Sequence, residues 1–128
     1  MKVVIAHSSE KQIYRLAKSL ESIGLNHVYI TDYGFDALDY IVRHNCKICL
    51  LEQHLRGLNA KDIINAIGFK GIHAKFIILG VDDDLPLKLN RNVLASIDLK
   101  DEDALLQILA LVEHQRNGIS TKNLRSYQ

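Results

Sequence analysis

The 128-residue sequence has no apolar stretch near the roughly 20 residues a membrane-spanning helix needs, and almost no excess of either charge, with 16 Lys and Arg against 15 Asp and Glu. The first absence excludes a spanning helix. The second, a formal net charge of +1, excludes the broad basic field with which a domain binds nucleic acid directly or lies on an anionic membrane. The opening apolar residues, Met1 to Ala6, reach His7 too soon for a signal peptide, so cytoplasmic residence is expected. Cysteine is scarce, with only Cys46 and Cys49, which excludes a disulfide framework. Their CxxC spacing reads as one buried apolar cysteine and one loop cysteine. A redox pair would open a helix rather than enter a strand, and alternation along a strand would send the two side chains to opposite faces. There is no GxGxxG, no phosphate-cradling loop, no GxSxG elbow, no internal repeat and no low-complexity segment, which argues against the common nucleotide-binding and hydrolase sites.

What is present is an alternation of short apolar runs with amphipathic segments, in a chain of 48% apolar and 24% charged residues, long enough for one packed domain. Strands are predicted at 2–6, 27–31, 47–52, 75–80 and 93–99. A helix over 9–23 starts at a serine cap, carries the stripe Ile13, Leu16, Ala17, Leu20 and Ile23, and stops at Gly24. A second opens at Tyr33 with the stripe Ala37, Leu38, Ile41 and Val42. A third covers 60–67 and ends at Gly68, a short fourth begins within 82–89 with Pro86 in its first turn, and a final one covers 102–115 with Leu105, Leu106, Ile108, Leu109 and Val112. From Asn117 to Gln128 the sequence turns polar and loses its period, so the expected division is a domain over 1–116 and a tail or linker over 117–128.

Strands alternating with helices imply an α/β sandwich with a parallel sheet and helices on both faces, because the crossovers are right-handed. The flavodoxin-like order 2-1-3-4-5 is expected. That order puts the topological switch between the first and third strands, so a site should be built from residues after Ala6 and after Leu51. His7, Ser8, Glu52 and His54 lie there. Two imidazoles and a carboxylate, His7, Glu52 and His54, form a candidate zinc set, to which Asp82 to Asp84 would add carboxylates. The simpler reading is a hydrogen bond between His7 and Glu52, or a solvated Glu52 paired with Arg56 or Lys100.

This order of elements, with Glu52 ending an apolar strand, resembles the receiver domain of two-component response regulators over nearly the whole chain, about residues 2–115. The resemblance places the phosphate-accepting aspartate at Glu52, the acidic pair that holds magnesium at His7 and Ser8, the switch hydroxyl at Gly80 and the conserved lysine at Asp98. In the loop after Glu52, Leu55 matches the family's apolar position, whereas Arg56 and Ala60 replace its proline and glycine. Losing the carboxylate pair removes most of the ligand charge that magnesium needs, so no cofactor is expected. The extra methylene of Glu52 misplaces an acceptor whose chemistry depends on position.

The resemblance therefore implies a non-enzymatic pseudo-receiver, a signalling domain acting without phosphorylation through protein contacts or dimerisation. In the family the dimer face is formed by the fourth helix, fifth strand and last helix, here 84–89 and 93–115, with Leu85, Leu87, Leu89 and Leu94. A DNA-binding output domain in a longer protein, and so transcription regulation, is the partner it implies. Two alternatives stand beside this reading: a receiver phosphorylated on Glu52, and a small metal-sensing or ligand-sensing flavodoxin-like domain.

Overall fold

A computed structural model of the chain describes residues 1–80 and 90–126, with side chains through Gly118. Its elements are β1 (Val3–Ala6), α1 (Glu10–Ser22), β2 (Val28–Thr31), α2 (Gly34–His44), β3 (Ile48–Glu52), α3 (Ala60–Phe69), β4 (Lys75–Leu79), β5 (Val93–Ile97) and α4 (Ala104–Ser126). All strand pairs are parallel, in the order β2-β1-β3-β4-β5. The expected flavodoxin-like doubly wound sheet is what forms. The predicted helix within 82–89, with Leu85, Leu87 and Leu89, lies outside the described residues.

The near-continuous apolar strands divide their side chains between two layers. Val4, Ala6, Cys49, Leu51, Phe76 and Ile78 pack with Ala37 and Ile41 of α2 and Ile63, Ile64 and Ile67 of α3. Val3, Ile5, Ile48, Leu50, Ile77 and Leu79 face the other way, against Leu16 and Leu20 of α1 and Ala104, Ile108 and Val112 of α4. A strand apolar at every position is thus explained by helices on both sides.

Helix ends follow local chemistry. Ser9 caps α1, its hydroxyl accepting from the Gln12 amide at 3.3 Å, and Asn59 caps α3 by accepting from the Asp62 amide at 2.9 Å. α2 ends at Asn45, in the left-handed region with φ 52, a stop the sequence reading did not assign. α3 does not stop at Gly68 as predicted. It continues to Phe69, and Gly71, with φ 70, supplies the turn beyond it.

Three further expectations are corrected by packing. Val42 is 39% exposed and Leu106 71% exposed: Val42 lies about 100° from the buried row Gly34, Ala37 and Ile41 on α2, and Leu106 lies about 160° from the row Ala104, Ile108 and Val112, on the opposite side of α4. Cys46 and Cys49 do not point to opposite faces. Cys46 lies two residues before β3 begins, outside the strand's alternation, and both thiols are buried in the same layer. The last helix also runs past residue 115, its backbone helical through Ser126.

Candidate functional site

The register places Ala6 beside Thr31 and Leu51, Glu52 beside Leu79, and Leu79 beside Ile97. The residues that follow these strands therefore meet along one edge, as the switch-point argument requires. There Glu52 turns toward the loop after β1. Its carboxylate accepts from the Ser8 amide at 3.2 Å and the Ser8 hydroxyl at 3.0 Å, and lies 3.2 Å from His7 Nε2.

His7 is held through both ring nitrogens. The Ser9 amide donates to Nδ1 at 2.9 Å, which assigns the neutral imidazole its proton at Nε2 and makes that nitrogen the donor to Glu52. With side-chain exposures of 12% for His7 and 20% for Glu52, burial lowers the His7 pKa below its ordinary value, and the Glu52 charge offsets this only partly. His7 is neutral at pH 7. The pair is therefore a charge-assisted hydrogen bond between an imidazole and a carboxylate.

The remaining predicted positions line a neighbouring crevice of about 280 Å³ with His7, Ser9 and Gln12. Gly80 follows β4 directly, its amide donating to the Ile97 carbonyl at 2.8 Å. Its φ of 150 is one that residues with a side chain rarely adopt, and Gln53 lies 3.5 Å from where a Cβ would stand. The backbone here suits glycine rather than a hydroxyl residue. Asp98 follows β5 directly, and its carboxylate accepts from the Lys100 amide at 2.9 Å in a short turn.

Other predicted members are not brought together. His54 is exposed, and among the described residues no group of three or more His, Cys, Asp or Glu is placed to hold a metal ion. The candidate zinc set of His7, Glu52 and His54 is not assembled, because His54 leaves the strand end in a turn while His7 and Glu52 face each other. Asp82 to Asp84 lie outside the described residues. Arg56 does not pair with Glu52. It reaches Asp32 at 3.3 Å and covers the Tyr33 ring at 4.8 Å, and the Gly34 amide donates to its carbonyl at 2.8 Å.

Leu55 is buried. Sequence reasoning missed the parts played by Ser9, whose backbone amide orients His7, and by Gln53. Their signals were weak: a cap serine declares its side chain's partner but not its amide's, and Gln53 matters only because Gly80 approaches it across the sheet.

No protein-family model matches the chain, and no curated protein does. Solved structures do. The signal receiver domain of a Vibrio parahaemolyticus protein described as a Luxo repressor superposes with a TM-score of 0.79 at 15% identity, covering 96% of this chain and 95% of that one. A LuxR-family DNA-binding response regulator from Staphylococcus aureus gives 0.75 at 18% identity, covering 91% and 98%. A two-component transcriptional regulator AraC from Clostridium phytofermentans gives 0.74 at 10%, covering 98% of each. At such identities the likeness concerns backbone architecture, and the chain has the fold of a response-regulator receiver domain.

Proposed function

We propose that this chain is a signalling domain of the receiver type that works without phosphorylation, through contacts with other proteins or with a second copy of itself. The observation that carries the reading is the engagement of the Glu52 carboxylate by His7 and by both Ser8 donors. The residue at the acceptor position spends its oxygens on internal hydrogen bonds. The groups around it are a neutral imidazole and a hydroxyl in place of two magnesium-binding carboxylates. Asp98, on the same edge, would repel an incoming phosphoryl group where a lysine would pair with it. Gly80 contributes no hydroxyl to read a modified Glu52.

Incubation with acetyl phosphate and magnesium, followed by intact-mass measurement, is expected to leave the mass unchanged. A stable gain of one phosphoryl group that disappears in Glu52→Ala would overturn the reading in favour of a receiver phosphorylated on glutamate.

The surface proposed for contact is that of β5 and α4, where Leu106 is exposed on the side of its helix away from the buried row of Ala104, Ile108 and Val112. Because two of the similar structures are named as a DNA-binding response regulator and a transcriptional regulator, a DNA-binding output domain in a longer protein is the partner we propose, and cytoplasmic residence goes with it. Self-association is checked by light scattering after gel filtration: a dimer that becomes monomeric in Leu106→Asp, with an unchanged circular dichroism spectrum, is the expected result. A mass unaffected by the substitution removes this face from consideration.

A further inference from the structure

At the opposite edge of the sheet, where β3, β4 and β5 begin, lies a larger cavity of about 430 Å³ that the reading above does not use. Its lining includes Lys47, His73, Lys75 and Arg116, with Asn92 and the apolar Ile48, and no Asp or Glu among its described lining residues. In a chain whose formal charges nearly cancel, Lys47 and Lys75 on one concavity, beside an Arg116 already balanced by Glu113, give it a local positive field.

Two of these cations are held in place. Lys75 donates to the Asn92 side-chain carbonyl at 3.1 Å. Arg116 donates to the Ile23 carbonyl at 2.6 Å and pairs with Glu113. The other two groups have no such engagement: among the described residues no carboxylate pairs with Lys47 or His73. Fixed donors beside unengaged ones, in a space within the size range of small-molecule sites and far larger than an inorganic anion needs, describe a binding site lined by both cationic and apolar groups.

We propose that this cavity binds a small organic anion with an apolar body, its negative group met by Lys47 and Lys75 and its body set against the walls that include Ile48. The charge requirement follows from the cations, the size of the body from the volume they surround, and its apolar character from Met1, Ile48 and Ala74 in the lining. The site is independent of Glu52, so it stands or falls separately from the signalling proposal.

The test uses 8-anilinonaphthalene-1-sulfonate, a sulfonate on an aromatic body, titrated into the intact chain with fluorescence and amide chemical-shift readouts. The expected result is saturable binding at one site, with the largest shifts at Lys47, Lys75 and Asn92. The double variant Lys47→Ala with Lys75→Ala should weaken binding by about tenfold or more, and added salt should weaken it in the parent. Octanoate and phenyl phosphate serve as competitors: displacement by either supports the site and distinguishes a carboxylate from a phosphoryl ligand. The single variant Lys47→Ala, at an exposed residue with no carboxylate partner among the described residues, is the second variant should the double substitution disturb folding, and it too should weaken binding. The proposal is overturned by shifts centred on the exposed Ile30 and Phe35, by variants that bind as tightly as the parent, by displacement as effective with neutral octanol as with octanoate, or by no saturable binding.

Discussion

At the scale of single residues, the arrangement around His7 couples a protonation state to the end of a strand and the start of a helix. Protonating Nδ1 would set a new N–H against the Ser9 amide that now donates to it, and burial opposes the charge as well. The folded pKa is lowered, so the unfolded chain binds this proton more readily and stability rises with pH across the window. His7's contribution is therefore complete above about pH 6.5, its unfolded value, and is lost as pH falls below that toward the lowered folded value. Urea denaturation across this range is expected to show that loss. His7→Asn, which keeps an acceptor near Nδ1 but does not titrate, should show a smaller slope, and equal slopes would assign the titration elsewhere.

At the scale of elements, two glycines within helices play opposite parts. Gly34, at the start of α2, is pressed against the loop before α3: a Cβ there would lie 1.9 Å from the Leu58 carbonyl oxygen, in the same contact where Arg56 and Tyr33 bridge. Gly34→Ala must push backbone apart, and a destabilisation of about 1–3 kcal/mol is expected. Gly68 lies inside α3 with open space where its Cβ would be. Gly68→Ala adds helix propensity and costs no contact, so a gain of roughly 0.5–1 kcal/mol is expected. Denaturation midpoints measure both, and a shift of the same sign in the two variants would show that one of these environments is misread. The latch at Gly34 matters to the site because the loop it fixes begins at Gln53, next to Glu52.

At the scale of the whole molecule, one sheet serves both apolar layers, so the layers cannot come apart without losing the strands they share. A single cooperative unfolding transition is the consequence. Cys46 and Cys49 report on it, since both are fully buried. Burial dominates at Cys49 and pushes its thiol well up, while the hydrogen bond between the two thiols, and after it the contact of Cys46 with the Ile48 carbonyl at 3.2 Å, lowers that of Cys46. Neither is open to attack in the folded state. Both thiols are expected to resist an aromatic disulfide reagent in native buffer and to react together as urea unfolds the chain; fast labelling of one cysteine without denaturant would place it in a locally opening segment.

The sequence by itself determined the class and order of the described elements, because the apolar runs at 2–6, 47–52 and 75–80 are too short for helices and alternate with amphipathic segments, as strands covered on both faces do, and the cap at Ser9 follows from chemistry within four residues. It also determined that Glu52 would stand beside the loop after Ala6, since parallel strands of equal pattern end on a common edge. The tertiary structure alone decided which donors the carboxylate takes, that His54 turns away, that Arg56 belongs to Asp32 and Tyr33, and that Cys46 shares a layer with Cys49. Each of these depends on side-chain direction at or beyond a strand end, where the period of two no longer applies. The exposed Val42 and Leu106 carry the same lesson on helices: one residue from a buried row turns a side chain by about 100° and two residues turn it to the far side, and only the packed neighbours reveal which row is buried. The cavity at the amino edge was invisible in the sequence because Lys47, Lys75 and Arg116 are distant along the chain, and the parallel sheet and its last helix bring them together.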